Sequence, residues 1–241
     1  MMAIGKKGPA VPNYFYVQDE SGLGGNVWFG SRGGPNIDIE YSTDLTTWTS
    51  EPAISGNTMI PLPAGGRLYI RGTNTRFATD YINGHRFLQC SVSHSVGGNI
   101  AFLLDPTGRP TTVDDRCLAG LFGPTYIANT NLVDAHNLII PEAVHRAEAF
   151  RRMFFGCANL IRGPKINIKQ DLLTRECQEM FQGCTSLNEV ACLVTGISAN
   201  FATSGWMNNV SATGTFYKNA SMTTWPRNNN GIPSGWTVVD L

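Results

Sequence analysis

The sequence predicts an α+β protein: an antiparallel, β-sandwich-like module at the N-terminus, followed by a short solenoid of helix–turn–strand units. Three observations carry that expectation. The first hundred residues hold short β-prone runs separated by Gly-Gly, Gly-Pro and Pro-rich breaks. Glycine is abundant at 26 of 241 residues, and Asn, Ser and Thr recur between the runs, which favours strands and tight turns over long helices. One eight-residue pattern then recurs through the second half, the mark of a repeat architecture.

The N-terminal runs are Tyr14-Phe15-Tyr16-Val17, Asn26-Val27-Trp28-Phe29, Ile37-Asp38-Ile39-Glu40-Tyr41, Thr58-Met59-Ile60 and Leu68-Tyr69-Ile70. In the third, Ile37, Ile39 and Tyr41 alternate with two carboxylates, the period-two pattern of a half-buried antiparallel strand. Gly22-Leu23-Gly24-Gly25 reads as a loop. Around Ser95 to Asn99 the chain turns polar with Gly97-Gly98 at its centre, which places a break between residues 1–98 and 99–241.

Beyond the break, Met153-Phe154-Phe155-Gly156-Cys157-Ala158-Asn159-Leu160 and Met180-Phe181-Gln182-Gly183-Cys184-Thr185-Ser186-Leu187 are clear copies of one block. Degenerate copies begin at Thr125 and Thr215. The second column is aromatic (Tyr126, Phe154, Phe181, Phe216) and the eighth is long and apolar (Leu132, Leu160, Leu187, Met222). Both columns are expected to point inward, ring on ring, because a unit too small to close its own core buries apolar surface only against its neighbours. The fifth column holds Asn129, Cys157, Cys184 and Asn219, compact residues that can hydrogen-bond the backbone of a turn. The cysteines are therefore expected to be reduced and structural.

Ala143, Ala147, Phe150 and Phe154 fall on a helical period, as do Leu173, Cys177 and Met180, so a helix is predicted before each clear block, stopped at Gly156 and Gly183. After the blocks, Leu138 and Ile140, Ile166 and Ile168, and Val190, Cys192 and Val194 alternate as strands do.

The block M-F-x-G-C-x-x-L followed by a short strand resembles the BspA-like leucine-rich repeats of surface proteins from gut anaerobes and of the phages that infect them. The closing stretches Thr213–Ala220 and Gly231–Val238 resemble the ends of such arrays, and Glu40–Trp48 with Leu68–Gly72 resembles the β-module that often precedes them. The resemblance implies a β-sandwich-like module over 1–98 and a leucine-rich-repeat domain over 99–241. It implies a non-enzymatic binding or structural protein that contacts virion proteins, cell-surface proteins or glycans and works as a homo-oligomer. Gly8-Pro9-Ala10-Val11-Pro12 stands where a signal peptide would carry its apolar run, which favours a virion component over an exported bacterial adhesin.

Other chemistries find little purchase. Lys plus Arg equals Asp plus Glu at 18 each and only 15% of residues are charged, so neither nucleic acid nor an anionic membrane is an expected partner. No apolar run is long enough to insert in a bilayer. The six cysteines form no C-x-x-C pair and the four histidines are scattered, so no metal or other cofactor is expected. Ser42-Thr43-Asp44-Leu45-Thr46-Thr47-Trp48 is similar to the Asp-box hairpin of sialidases but is a residue short and lacks its glycine, and it reads as a turn. Asp114-Asp115 are adjacent rather than convergent, which suits a solvated turn better than acid–base work. Trp28, Trp48, Trp206, Trp225 and Trp236 offer flat faces for sugars, but core packing is the plainer expectation. No catalytic residue is assigned; a carbohydrate-active enzyme is the remaining rival.

Overall fold

A computed structural model describes residues 12–80, 82–123 and 129–241. The described residues form fourteen strands. Nine precede residue 100: β1 (Phe15–Asp19), β2 (Gly25–Arg32), β3 (Ile37–Ser42), β4 (Thr49–Ile54), β5 (Ile60–Leu62), β6 (Arg67–Gly72), β7 (Ala78–Asp80), β8 (Gly84–Cys90) and β9 (His94–Asn99). Five follow: β10 (Leu132–Pro141), β11 (Arg162–Asn167), β12 (Glu189–Cys192), β13 (Gly214–Lys218) and β14 (Trp236–Asp240).

The strands make two sheets. The smaller is antiparallel, in the order β5-β2-β8-β7. The larger has ten strands in the order β14-β13-β12-β11-β10-β9-β1-β6-β3-β4. It is antiparallel from β4 to β9 and parallel from β9 to β14. The break expected at Gly97-Gly98 thus falls inside β9, the strand at which the sheet changes sense. The glycines there serve close approach. A Cβ on Gly97 would lie 2.3 Å from the Tyr16 hydroxyl, and Gly98, at φ +77°, would carry one 1.8 Å from the Tyr14 carbonyl oxygen.

From β9 onward the chain is a β-solenoid of about four coils. The period-two strand residues lie where expected: Leu138, Ile140, Ile166, Ile168, Val190, Cys192 and Val194 are all buried. So are Leu132, Leu160 and Leu187 of the eighth column. The copy expected at Thr215–Met222 is not equivalent to the others: Thr215–Lys218 lies in β13, with Phe216 paired to Val190 of β12, and Met222, though buried, follows its strand, because the ribbon of that coil is instead formed around Trp206 to Asn209.

The predicted helices are not there; among the described residues the only helical segments are 3₁₀ turns at Ile100–Leu103 and Glu142–Val144. The reason lies in where the backbone N–H groups go. From Glu148 to Gly156 every second N–H is donated to the next coil: Glu148 to Thr174, Phe150 to Glu176, Arg152 to Gln178, Phe154 to Met180 and Gly156 to Gln182, at 2.8–3.1 Å. The alternate groups close tight turns three residues back, as Arg151 does to Glu148 and Met153 to Phe150. Every donor is used, but none in the i−4 pattern of an α-helix. The result is a ribbon of consecutive turns with positive φ at every fourth residue, at Glu148, Arg152 and Gly156, then Arg175, Glu179 and Gly183, then Phe201, Gly205 and Asn209. Its four-residue period mimics a helical one. The inward face accordingly differs from the predicted one: Val144, Ala149 and Met153 are buried, whereas Ala143 and Ala147 are only half-buried and Leu173 is exposed.

The aromatic column is a stack with altered membership. Phe154 and Phe181 stack at 5.5 Å and 15°. Tyr126 lies outside the described residues, and Phe122 stacks on Phe154 at 5.0 Å. At the other end Trp206, not Phe216, sits next to Phe181, and Phe216 meets Trp206 edge-on. Trp206 in turn stacks on Trp225 at 5.4 Å. Phe15 of β1 lies 6.3 Å from Phe122, so the aromatic row continues into the N-terminal sheets, and one apolar core runs through the described chain.

Candidate functional site

The acidic candidates are bound up in turns. Asp44 Oδ1 accepts from the backbone N–H groups of Thr47 and Thr46, both at 2.8 Å, in the connection between β3 and β4. Those bonds hold its carboxyl well below the usual carboxylate range. Asp114 accepts from the Thr75 hydroxyl at 2.8 Å and pairs with Arg76 at 3.4 Å, while Asp115 faces solvent. Of the tryptophans, Trp206, Trp225 and Trp236 are core, Trp206 and Trp236 donating their indole N–H to the carbonyls of Gly231 and Ser211. Trp28 and Trp48 are half-buried, and the Arg71 guanidinium lies 4.0 Å over the Trp48 ring.

All six cysteines are free and buried. Cys157 Sγ faces the Phe122 carbonyl at 3.4 Å and Cys184 Sγ the Phe154 carbonyl at 3.0 Å; Asn129 and Asn219 likewise donate to the Leu88 and Leu193 carbonyls. The fifth column thus hydrogen-bonds backbone, as its residue types suggested. Burial pushes the Cys192 thiol up to about 12 and the others higher than usual too, which leaves them as thiols rather than nucleophilic thiolates. Buried Glu176 accepts from His145 Nδ1 at 2.8 Å and from the Leu173 N–H at 2.8 Å. That pairing raises the His145 pKa. Among the described residues no three His, Cys, Asp or Glu side chains gather as a metal ion requires, and no helix is long and apolar enough to cross a membrane.

What the structure does assemble lies on the outer side of the turn ribbon. The positive-φ positions stand in columns, and a side chain there points away from the core. One column runs Arg116, Glu148, Arg175, Phe201, and a second contains Arg152 and Glu179. Left-handed backbone costs a non-glycine residue roughly 1–2 kcal/mol, so these positions ask for compensation. They receive it from the neighbouring coil. Arg116 pairs with Glu148 at 2.8 Å, Arg152 pairs with Glu179, and the Arg175 guanidinium lies 5.4 Å over the Phe201 ring. Arg151 also holds Glu148, at 3.0 Å. Burial pushes the Glu148 carboxyl up, but the hydrogen bonds from Arg116 and Arg151 prevail and keep it below its ordinary value, hence ionised.

Between these coils lies a hollow of about 230 Å³ lined by Arg116, Glu148, Arg151, Arg175, Gln178 and Phe201. Phe201 is also a wall of a second hollow, where Ile197, Ala199, Thr203, Ser204 and Asn230 lie. Phe201 is 58% exposed, so the core does not use it. None of these residues stood out in the sequence, where the only trace is an Arg–Glu–Arg alternation from coil to coil at 116, 148 and 175.

No protein-family model, curated protein or solved structure matches this chain.

Proposed function

We propose that this chain is a non-enzymatic binding or structural protein of a phage virion, a head or tail fibre or a decoration protein, that works as a homo-oligomer and mediates assembly or attachment to host proteins or glycans. In this reading the coils are BspA-like leucine-rich repeats and the two N-terminal sheets form a β-sandwich. The observation that carries it is the charged and aromatic ladder across successive coils, running from Arg116 through Glu148 and Arg175 to Phe201. A solenoid presents equivalent positions at a fixed rise, and such a surface suits broad contacts with a macromolecule. The Asn and Cys column, bonded to backbone at Asn129, Cys157 and Cys184, supports the repeat family.

Self-association is supported by the two ends of the large sheet. At one end β4 carries Pro52 and a left-handed Ala53, both of which discourage another strand from pairing. At the other, β14 has the sequence Trp-Thr-Val-Val-Asp, without proline, and its outer edge has no partner among the described residues. A strand of that kind is a template for another chain.

Immunogold labelling of purified phage particles and of their host cells tests the assignment. Gold on particles is expected; label on uninfected cell surfaces alone would transfer the protein to a bacterial adhesin. A glycan-hydrolysis screen supplies the other arm. Turnover that disappears in Asp44→Ala or Asp114→Ala would refute the non-enzymatic reading.

A further inference from the structure

We infer that the hollow between Arg116 and Phe201 binds a saccharide that carries a carboxylate or sulfate. The inference deepens the attachment reading above and rests on it.

The charge of the site comes first. Its lining holds three guanidinium groups and one carboxylate, so it is cationic in a chain whose formal net charge is zero. Glu148 does not cancel the site but orders it. Lying 2.8 Å from Arg116 and 3.0 Å from Arg151, it fixes two guanidinium forks on a backbone already locked by the ladder between coils. Planar forks held in advance recognise a carboxylate or sulfate in two-point fashion at little entropic cost. Among the described residues, the buried Arg116 Nε has no hydrogen-bond partner, and neither has the buried acceptor Gln178 Oε1. Arg175 forms no ion pair among the described residues; its guanidinium is instead held over the Phe201 ring.

The second property is the shape of the wall. Phe201 is exposed, held at φ +56°, and separates the cationic hollow from one where Ser204, Thr203 and Asn230 supply polar groups and Ile197 and Ala199 supply apolar ones. A pyranose has a flat C–H face for an aromatic ring, hydroxyls around its rim, and in a uronate or sulfated sugar one anionic group at its edge. Those three features match the ring of Phe201, the polar groups on one side of it and the guanidiniums on the other. A nucleic acid fits poorly, because its affinity grows with the number of neutralised phosphates and the cationic patch here is one hollow wide, broken by Glu148.

The full chain is titrated calorimetrically with an unsulfated hyaluronan tetrasaccharide, its carboxyl methyl ester, a sulfated chondroitin tetrasaccharide and hexaglutamate. Binding of at least one anionic saccharide is expected, the two arms distinguishing carboxylate from sulfate. If the carboxylate is read, the ester should bind about tenfold more weakly. Arg175→Gln and Phe201→Ala should each weaken binding by roughly five- to tenfold while their circular dichroism matches wild type, and Leu23→Ser, on a remote loop, should change nothing. Wild-type affinity in both Arg175→Gln and Phe201→Ala overturns the inference, as does binding of hexaglutamate alone, which would assign the hollow to an acidic peptide. Should no saccharide bind while gold still decorates particles, this inference falls and the virion reading stands. If saccharides bind but particles stay unlabelled, the site survives and the virion reading falls.

Discussion

Replacing Phe154 by alanine removes a ring that is fully buried and stacked on both sides, 5.0 Å from Phe122 and 5.5 Å from Phe181. Truncating a buried phenylalanine costs about 3–5 kcal/mol through lost transfer energy and the cavity left behind. Each aromatic pairing adds roughly 0.5–1.5 kcal/mol to what area alone supplies. Phe122 and Phe181 are both held in place by the ladder between coils, so they cannot close over the space between them, and the expected loss is about 4 kcal/mol. For a chain of this length each kcal/mol moves the melting temperature by roughly 2–4 °C, which puts the shift near 8–16 °C. Thermal unfolding followed by far-ultraviolet circular dichroism reads it directly. Phe201→Ala is the internal comparison, because its ring is largely exposed and its loss should cost under about 1 kcal/mol. If Phe154→Ala melts within about 2 °C of wild type, or Phe201→Ala falls as far, the assignment of inner and outer columns is wrong.

Three further outcomes are expected from other parts of the molecule. Gly98→Ala forces a Cβ against the Tyr14 carbonyl at a left-handed position and should cost more than about 2 kcal/mol in urea unfolding; a loss below about 0.5 kcal/mol would mean that β9 does not pass β1 as described. Burial lowers the His94 pKa from 6.5 to about 4, so the folded state keeps the ring neutral while the unfolded state takes up a proton. Its contribution, on the order of 3 kcal/mol, is present above pH 6.5 and is lost as the pH falls through about 4. His94→Gln should therefore show a shallower loss of stability over that interval, and identical slopes would count against the buried neutral ring. Finally, an aromatic disulfide reagent should label none of the six thiols in the native protein and all six in urea. Rapid native labelling of Cys157 or Cys184 would contradict their place inside the coils.

Legibility from sequence followed the physics of each element. Strands of the solenoid were legible because alternation of buried and exposed residues is a local property, as at Leu138 and Ile140. The eighth column was legible at Leu132, Leu160 and Leu187, where each coil buries one long apolar side chain just before its strand, but not in the fourth copy, whose aromatic residue Phe216 lies in β13. The turn ribbon was not, since Ala143, Ala147, Phe150 and Phe154 satisfy a period of four as well as one of 3.6, and Glu and Arg are good helix formers in isolation. What decides between the two is where the N–H groups find acceptors, a non-local matter settled by the next coil. β8 was missed because His85 and Arg86 interrupt its apolar pattern although both are buried. The candidate site escaped for a similar reason, its side chains meeting only across neighbouring coils, between residues some thirty apart in sequence.

The unbroken passage of the large sheet through β9 gives the molecule a mechanical character. The backbone bonds that join neighbouring coils lie along the direction in which the coils stack, so tension spread over the last coil is shared among the bonds of each seam. In the ribbon alone the seam between the coils at 148–156 and 174–182 is closed by five backbone bonds, and strand bonds between β11 and β12 reinforce its other side. Because β9 is hydrogen-bonded on both sides, to β1 and to β10, a load carried by the coils passes directly into the N-terminal strands.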